Sequence, residues 1–275
     1  MSEATDQNDV QAYDGCSIPP QVYDIGFGWG PRPEIDRLAF LAREAGATVR
    51  SALELGCGTG RLLAAFGEEV LLVRGIELNP DMAELGRRRL VAKLGDEPKV
   101  DAAIVTGDMT DFDLGRRFDL IYTSANTIRH IAEDDAIARM WRSVAEHLAP
   151  GGVFVADLEL GIEYEAGQAG KPAKWLLSRG AQTVHVTWEV VDPPDSVRRR
   201  TGIRWAFELR AGGSVQRWEQ RFELRAFDAC EFVALAERSG LGLAGLYELR
   251  DPYLLERPAD RFAGRGLVVL KAGLQ

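Results

Sequence analysis

The chain has 275 residues, enough for one large domain or for one core with a substantial insertion. Hydrophobic residues make up 46% and charged residues 27% of it, ordinary values for a folded globular protein, so disordered and fibrous classes are excluded. The 33 Lys and Arg residues against 42 Asp and Glu residues leave a formal charge of −9. Phosphate backbones repel a chain of that sign, which disfavours a nucleic-acid partner.

The cysteines and the N-terminal sequence bear on the compartment. Cys16, Cys57 and Cys230 are too few and too scattered for a disulfide framework or a metal site. The start, MSEATDQNDV, has neither the basic residues nor the apolar run of a signal peptide, and no stretch approaches the roughly eighteen apolar residues of a membrane span. We therefore expect a cytoplasmic protein with no membrane contact.

The N-terminal part, residues 1–33, is predicted to be a tail followed by a lid. The first dozen residues are polar and read as a loose tail. Residues 13–33 are rich in aromatic residues and glycine, too apolar for a linker and too broken for a regular element. This composition is typical of a segment that folds over a site. A helix is expected to begin at Pro33.

Residues 34–160 alternate between strand and helix patterns. Asn79 is a predicted N-cap, with Pro80 at the first helical position. Strands and helices that alternate at this spacing predict a parallel sheet covered by helices on both faces. The predicted strands are 51–56, 70–77, 100–107, 118–123 and 153–160, and helices are predicted at 59–66, 79–94 and 134–148.

The pattern changes in residues 161–227, which we interpret as an antiparallel insertion. Three runs alternate apolar and polar residues with period two, which predicts three strands with one covered face. The residues of the covered face are Val184, Val186, Trp188 and Val190, then Ile203, Trp205, Phe207 and Leu209, then Trp218, Phe222 and Leu224.

Residues 228–275 return to the core pattern. Asp228 and Glu231 have the spacing of a capping box for a helix that ends near residue 240. Two last strands are predicted at 241–248 and 266–271, with a loop at 251–262 between them.

The sharpest local signal is ELGCGTGRLL (54–63), in which three glycines lie between a predicted strand and a predicted helix. Glycine lets the backbone approach a ligand closely, and a helix N-terminus offers oriented N–H groups. Glu77, about twenty residues on, is placed to hold ribose hydroxyls, as in dinucleotide sites. However, the third glycine comes one residue too early for the dinucleotide pattern, and the carboxylate of Glu54 suits a cationic amino group that NAD lacks.

These residues, together with GDMTDF (107–112), FDLIYTSANTIRHI (118–131) and LAPGGVFVADL (148–158), resemble the motif series of class I S-adenosylmethionine-dependent methyltransferases over about 110 residues. The lid and the insertion are similar to those of the glycine N-methyltransferases and the antibiotic amino-sugar N-methyltransferases. The resemblance implies an α/β, Rossmann-like core of seven strands, the last antiparallel, with S-adenosylmethionine as cofactor.

The resemblance also implies roles for individual residues. Arg32 would reach the cofactor carboxylate. The expected cofactor-binding residues are Tyr23 and Trp29 in the lid; Glu54, Gly56, Gly58 and Gly60 at the methionine part; Glu77 at the ribose; Leu78, Met82, Asp108 and Met109 around the adenine; and Thr123 or Ser124 at the end of the fourth strand.

His130 is the candidate general base, since it lies on the segment leaving the fourth strand, where the family's acceptors approach. The alternative is a histidine that packs at a helix start. Asn126 and Arg129 would orient the acceptor, or else face solvent. His147, in the last turn of a helix, is interpreted as structural. His185 is interpreted as exposed, with a position in a pocket roof as the alternative.

Together the residues predict a methyltransferase acting on an oxygen or nitrogen of a small molecule, a secondary metabolite or a sugar. No metal is expected, because Asp108, Asp111 and Asp113 would diverge in a turn and no histidine accompanies them. Two alternatives remain: an enzyme of the same fold with a non-methylating reaction such as a cyclisation, and a non-catalytic partner subunit. An exposed edge of the insertion could pair across a homodimer axis.

Overall fold

The computed structural model describes residues 17–95, 99–250 and 253–273. The predicted tail, the first residues of the predicted lid and Cys16 lie outside these ranges. The α-helices are α1 (Pro20–Gly26), α2 (Arg32–Glu44), α3 (Arg61–Phe66), α4 (Pro80–Leu94), α5 (Asp134–His147), α6 (Ile162–Ala166) and α7 (Ala229–Glu237). The strands are β1 (Ser51–Leu55), β2 (Leu72–Glu77), β3 (Asp101–Thr106), β4 (Phe118–Thr123), β5 (Leu148–Leu160), β6 (Ala173–Arg179), β7 (Gln182–Asp192), β8 (Arg200–Ala211), β9 (Ser214–Arg225), β10 (Leu241–Arg250), β11 (Tyr253–Glu256) and β12 (Gly264–Ala272).

Eight strands form one sheet in the order β11-β10-β12-β5-β4-β1-β2-β3. The strands β1 to β5 pair in parallel, whereas β12 is antiparallel to both β5 and β10. This topology confirms the predicted Rossmann-like core with an antiparallel last strand. Strand β11 adds an eighth strand where the sequence predicts a loop, and a short 3-10 helix, Ala259–Arg261, follows it.

Helices cover both faces of this sheet, as predicted. On one face, Leu53 and Ile121 pack against α5 and α7 in a core that contains Trp141 and Phe232. On the other face, residues of α2, α3 and α4 pack against the strand residues that alternate with the first set, for example Leu120. Because successive strand side chains point to opposite faces, one strand feeds both cores.

Strands β6 to β9 form a separate four-stranded antiparallel sheet. Its inner face carries the predicted apolar residues, and α1 packs against them through Val22 and Ile25. Strand β6 was not predicted, because its sequence AKWLLSR does not alternate strictly between apolar and polar residues. It is an edge strand of this sheet: it pairs with β7 on one side, and no described strand pairs with its other side.

The two predicted caps differ in outcome. The Asn79 side chain accepts hydrogen bonds from the backbone N–H groups of Asp81 (2.9 Å) and Met82 (3.1 Å), which confirms the N-cap of α4. The capping box at α7 is wrong. Asp228 is at the N-cap position, but its side chain makes no cap bond and instead accepts from the N–H of Ile162 at 3.3 Å. Glu231 pairs with Arg199 and Arg225, because these arginines offer stronger, charged donors.

Candidate active site

A cavity of about 570 Å³ lies at the carboxyl ends of the parallel strands, beneath α1 and the inner face of the antiparallel sheet. This is the edge at which open α/β sheets bind ligands, and the volume suits a small molecule. The predicted site residues on its wall are Tyr23, Trp29, Gly56, Gly58, Glu77, Leu78, Met82, Asp108, Met109, Asn126 and His130. The structure therefore brings most of the predicted site together from five separate segments.

The glycine loop forms the floor of one half of the cavity. Gly56, Gly58 and Gly60 have φ values of 67°, 53° and 67°, a region that residues with a side chain rarely adopt. A Cβ at Gly56 would overlap the Thr127 side chain, whereas a Cβ at Gly58 would point into open space with Tyr23 4.0 Å away. Gly60 does not line the cavity. It packs against Gly86 of α4, where a Cβ would lie 3.3 Å from the Gly86 Cα, so its role is the close approach of two helices.

Glu77 ends β2 at the cavity wall and is held in place by the backbone. One carboxylate oxygen accepts from the N–H of Gly58 at 2.8 Å and the other from the N–H of Asn79 at 2.9 Å. Burial raises the pKa of Glu77, and these backbone bonds oppose that rise. The result is a fixed carboxylate on the wall, next to Leu78 and Met82.

Asp108 and Met109 follow β3 on the same side of the cavity. The Asp108 side chain accepts from the N–H of Thr110 at 2.8 Å, an Asx-type turn that fixes the loop. The Met109 sulfur lies 3.7 Å from the position that a Cβ on Gly56 would take, so this loop reaches the glycine loop.

Glu54 lies beneath the glycine loop and does not line the cavity. Its side chain is buried and accepts a hydrogen bond from the Tyr122 hydroxyl at 3.1 Å. Burial raises the pKa of Glu54 to about 8, although the positive charge of Arg61 opposes this. The carboxyl is therefore largely protonated at neutral pH.

The backbone after β4 is strained at two residues that are not glycine. Ala125 and Asn126 have φ values of 52° and 66°. The Asn126 side-chain oxygen accepts from the N–H of Glu159 at 2.7 Å, and its own N–H donates to the Asp157 carbonyl at 3.0 Å. Such strain persists only where the surroundings hold it, and it is common at functional sites. Here it turns the chain so that Asn126 and Thr127 line the cavity.

Thr123 and Ser124, expected at the cofactor, are not on the cavity wall. Thr123 is buried within the sheet, and the wall at this point is formed by Ala125, Asn126 and Thr127. The sequence marks the end of the strand but not the two left-handed residues that reverse the chain after it.

His130 ends the 3-10 helix Thr127–His130 and lies on the cavity wall. Its ring stacks on Phe222 of β9, with centroids 5.3 Å apart. Desolvation, with a contribution from the positive charge of Arg129, lowers the pKa of His130 to about 4. The imidazole is therefore neutral at pH 7. A base with this pKa is far from the value that makes general-base catalysis efficient at neutral pH.

Arg129, expected to orient the acceptor, is not on the cavity wall. Only 1% of its surface is exposed, and its guanidinium pairs with the buried carboxylate of Glu165. It also donates to the Arg225 carbonyl at 2.8 Å and to Glu159 at 3.2 Å. Because the guanidinium of Arg129 is buried among these partners, none of the donors described here is directed at a bound methyl acceptor. The expected contact with the acceptor is replaced by an internal network.

Three aromatic residues of the lid line the cavity: Tyr23 and Trp29, which were predicted, and Phe27, which was not. Tyr23 stacks on Phe27 at 4.6 Å, and Trp29 meets Phe27 edge to face at 5.4 Å. Arg32, expected at the cofactor carboxylate, is instead on the surface. It begins α2 and pairs with Asp36 and Glu69.

The sequence did not predict one buried carboxylate of the lid, that of Asp24. Asp24 accepts from the Thr59 hydroxyl at 2.6 Å, from Arg89 at 2.5 Å and from Arg179 at 2.6 Å. Burial alone would raise its pKa, but the hydrogen bonds from Arg89, Thr59 and Arg179 lower it. Asp24 thus ties α1 to the glycine loop, to α4 and to β6. No local motif marks it, since its partners are 35 to 155 positions away.

Three tryptophans of the insertion form the other half of the cavity wall: Trp175, Trp188 and Trp205. The indole N–H of Trp175 donates to the Gly26 carbonyl at 2.7 Å, which fastens the lid to the insertion. Period-two alternation had placed Trp188 and Trp205 on the covered face, but nothing in the pattern showed that this face covers a cavity. Charged residues also line the wall: Glu133, Arg139, Glu159 and Arg265.

The other two histidines lie elsewhere. His147 accepts from the N–H of Leu114 at Nε2 (2.9 Å), so its Nδ1–H donates to the Ser143 carbonyl (2.7 Å), a structural role as predicted. His185 is half-buried on the outer face of the antiparallel sheet, in a shallow depression with Arg204 and Glu208. Cys57 is buried and packs against Gly75.

Two further features are absent from the described residues, 17–95, 99–250 and 253–273. No cluster of three or more His, Cys, Asp or Glu side chains there is arranged to hold a metal ion. No helix in those ranges is both long enough and apolar enough to cross a membrane.

Comparison with known proteins identifies the fold and its central domain. Residues 52–152 match the family described as methyltransferase domain. The structure superposes on DesVI of Streptomyces venezuelae with a TM-score of 0.75 and 27% identity, over 92% of this chain and 98% of that one. It also superposes on KedS8, a sugar N-methyltransferase of a Streptoalloteichus species, with a TM-score of 0.73 and 25% identity over the whole of both chains. Residues 52–152 of this chain thus form a methyltransferase domain, as the motif series predicted.

Curated relatives match over a shorter length. A dTDP-3-amino-3,4,6-trideoxy-alpha-D-glucopyranose N,N-dimethyltransferase of Streptomyces venezuelae is 34% identical over 139 residues, 50% of this chain and 55% of that protein. A dTDP-4-amino-2,3,4,6-tetradeoxy-D-glucose N,N-dimethyltransferase of Saccharopolyspora spinosa is 37% identical over 124 residues, 45% of this chain and 46% of that protein. The chain spans about half the length of the curated relatives it matches.

The raised pKa of Glu54 predicts a pH effect on stability. A carboxyl that is protonated up to about pH 8 in the folded protein, but ionises near 4.5 when unfolded, holds more protons in the folded state between these values. The free energy of unfolding should therefore decrease as the pH rises from about 4.5 to 8. Glu54→Gln should remove this contribution, so that its stability relative to the parent protein increases with pH.

Chemical denaturation of both proteins without ligand, at pH 6 and pH 8.5, measures this difference. Glu84→Gln is the control, because Glu84 is on the exposed surface of α4. A parent-to-variant difference that is the same at both pH values would show that Glu54 is ionised in the folded protein.

Proposed function

We propose that this protein transfers methyl groups from S-adenosylmethionine to the amino nitrogen of a small acceptor, an amino sugar carried on a nucleotide. The observation that carries the proposal is the single cavity whose two halves differ in chemistry. One half has the glycine loop, Glu77 and Asp108, and the other has His130 and the tryptophans of the insertion. The names of the curated relatives, which are N,N-dimethyltransferases of dTDP-amino sugars, support the acceptor class.

The residues present fit the cofactor. Gly58 leaves open space where a side chain would stand, and the fixed carboxylate of Glu77 is suited to the two ribose hydroxyls. Leu78, Met82 and Met109 offer apolar surface to the adenine, and Asp108 can accept from its exocyclic amine. S-adenosylmethionine, when bound, supplies an activated methyl group on a positively charged sulfur.

Glu54 would take part from beneath the loop. Its carboxyl lies under the backbone that would carry the methionine part, within the field of Arg61. An ammonium group brought near it would favour its ionised form. We therefore expect cofactor binding to lower its pKa and to release a proton near neutral pH.

The chemistry of the second half favours nitrogen over oxygen as the acceptor atom. A neutral amine attacks with its lone pair, whereas a sugar hydroxyl needs a base to remove its proton. His130, with a pKa of about 4, is too weak a base for a hydroxyl. The described residues of the wall include no lysine, and each of its carboxylates is already held by another group. Backbone N–H groups hold Glu77 and Asp108, whereas Glu133 pairs with Arg200 and Glu159 with Arg129. His130 can still accept a hydrogen bond from an amine N–H and so direct the lone pair.

The remaining task of the protein is to position the acceptor and exclude water, because the methyl group is already activated. Tyr23, Phe27 and Trp29 close the cavity from the lid, while Trp188 and Trp205 close it from the insertion. Aromatic faces suit the apolar faces of deoxy sugars, and they also attract the positive charge that a methylated amine acquires. The net charge of −9 agrees with a small-molecule acceptor rather than a nucleic acid.

Glu77→Ala tests the cofactor half. Loss of two hydrogen bonds to a charged group should weaken S-adenosylmethionine binding by roughly 1.5–3 kcal/mol, which calorimetric titration measures directly. Glu84→Ala, on the exposed face of α4, is the control and should bind as the parent does. An unchanged affinity for Glu77→Ala would contradict the ribose assignment.

A panel of acceptors tests the function as a whole. Methyl-labelled S-adenosylmethionine is incubated with a dTDP-linked amino sugar, the same sugar with a hydroxyl in place of the amine, and a peptide with a free N-terminus. The peptide is included because a cypemycin N-terminal methyltransferase is 27% identical over 62% of this chain. We expect label only in the amino sugar, with two methyl groups added.

Each other result has a defined meaning. Label in the hydroxyl sugar would overturn the choice of nitrogen, and label in the peptide alone would overturn the acceptor class. Consumption of the cofactor without label in any product would favour a non-methylating reaction. Binding of the cofactor with no turnover of any acceptor would favour a non-catalytic partner subunit.

Substitution of His130 separates orientation from proton transfer. Glutamine keeps an accepting oxygen but cannot take up a proton, whereas alanine removes both. If His130 orients the amine, turnover of His130→Ala should fall by about 10²-fold and that of His130→Gln by about tenfold or less. His185→Gln, on the outer face of the insertion, is the control. Equal loss in the Ala and Gln variants would restore the general-base role.

A further inference from the structure

A buried network of hydrogen bonds and ion pairs surrounds Arg129, which does not line the cavity. Its five donor positions reach four segments that are distant in sequence. The Nε group donates to the Arg225 carbonyl of β9 at 2.8 Å, and Nη1 reaches Glu159 of β5 at 3.2 Å and the Asn126 side chain at 3.4 Å. The Nη2 group pairs with Glu165 of α6 and lies 3.4 Å from the Thr201 hydroxyl of β8.

The partners of Arg129 are themselves buried and joined. Glu165 is 2% exposed and accepts from the Thr201 hydroxyl at 2.6 Å. Its second carboxylate oxygen is buried without a hydrogen-bond partner among the described residues. A buried ion pair with an unsatisfied oxygen is poorly suited to stabilising a fold, since apolar residues of the same volume often serve as well or better. The geometry of this ion pair therefore favours a role in positioning the residues around it.

The network lies directly behind the residues of the cavity. Arg129 is adjacent in sequence to His130, and its Nη1 group contacts the side chain of Asn126. Through Arg225 and Thr201 it fixes the same two strands, β9 and β8, that supply Phe222 and Trp205. The guanidinium of Arg129 thus links the parallel core to the insertion.

We propose that Arg129 and Glu165 form a positioning pair that locks the insertion onto the turn after β4 and so places His130 and Asn126 for methyl transfer. Arg129 is a positioning residue, not a catalytic one, because it does not line the cavity and its donors bind other protein groups, including Asn126 and Glu159 of the wall. This proposal concerns the positioning of residues and not the acceptor class. Only its kinetic test rests on the function proposed above.

The electrostatic surroundings of His130 allow the proposal to be tested without turnover. The charged side chains that share its cavity are Glu77 of β2, Asp108 after β3, Glu133 and Arg139 at α5, Glu159 of β5 and Arg265 of β12. Arg265 is neutralised by Asp157 through two hydrogen bonds, and Glu159 by Arg129. Besides desolvation, the charge of Arg129 is what lowers the pKa of His130.

The test is a double substitution, Arg129→Met with Glu165→Met, studied by NMR. The chain has three histidines, so the ring signals are few, and His130→Gln assigns the one of interest. With the arginine absent and Glu159 released, the pKa of His130 should rise above its parent value of about 4. Its ring signal should also shift, because the stack on Phe222 loosens, while those of His147 and His185 stay unchanged.

Single-residue variants separate charge from placement and guard against misfolding. Arg129→Lys keeps the charge but cannot reach β5, β8, β9 and α6 at once, so it should leave the pKa near the parent value while the ring signal still moves. Arg74→Met is the control, since Arg74 is also held by backbone carbonyls and a carboxylate, on a strand remote from His130. Circular dichroism and denaturation establish that each variant is folded.

With an active acceptor, the double variant should lose about 10- to 10²-fold in kcat, while its affinity for S-adenosylmethionine stays within about twofold. Parent-like His130 signals and pKa in the folded double variant would overturn the proposal, whatever happens to turnover. A loss of cofactor affinity equal to the loss in kcat would also overturn it, because it would show general damage to the core. If no acceptor is turned over, the NMR result still decides.

Discussion

The left-handed turn at Ala125 and Asn126 is the constraint on which the rest of the site depends. Where β4 ends, the chain must change direction and its backbone groups need hydrogen-bond partners. Two hydrogen bonds between Asn126 and β5 meet both requirements. The strained backbone cannot relax, because its amide and its side chain are both held by β5, at Asp157 and at Glu159. As a result Thr127 and His130, at the two ends of the following 3-10 helix, line the cavity, and Thr127 packs against Gly56.

Environment, rather than residue type, decides which carboxyls of this region carry charge. Asp24 and Glu54 are both buried, yet Asp24 accepts from two arginines and a hydroxyl and is ionised, whereas Glu54 accepts from the Tyr122 hydroxyl and the Leu63 backbone, with no arginine bonded to it, and has a raised pKa. The first serves as a fixed tie between the lid and three other elements. The second is poised to respond to a cation placed above it. The same burial thus produces a structural group in one case and a responsive group in the other.

Local patterns predicted the features of the fold that local forces determine. The cap at Asn79, the left-handed glycines and the alternating faces of β7 to β9 each depend on residues within a few positions of one another, so the sequence displays them. The short edge strand β11 and the irregular β6 lack such a signal, because their pairing depends on neighbours supplied by the folded chain. The capping box at Asp228 failed for a related reason, since distant arginines compete for Glu231.

The candidate site shows the same division more sharply. Gly56, Glu77 and Asp108 could be predicted, because each lies at or just after the carboxyl end of a strand, and the carboxyl ends of parallel strands meet at one edge. Arg129 and Asp24 could not be assigned, since their partners are up to 96 and 155 positions away. Arg32 was misplaced because an arginine near a lid has several carboxylates in reach, and Glu69 on the surface captures it.

The proposed separation of cofactor and acceptor functions between two sheets has a consequence for specificity. The glycine loop and Glu77 are built into the parallel core, where any displacement disturbs strands packed on both faces. Trp188 and Trp205 stand on the separate antiparallel sheet, where Trp205 belongs to an apolar core shared with α1, so their replacement disturbs that core and not the parallel one. Under the proposed function, substitutions at these two positions alter the acceptor half of the cavity while the methyl-donor half is preserved. The proposed positioning pair of Arg129 and Glu165 limits such changes, because a shift of this pair would move His130 relative to both halves of the cavity.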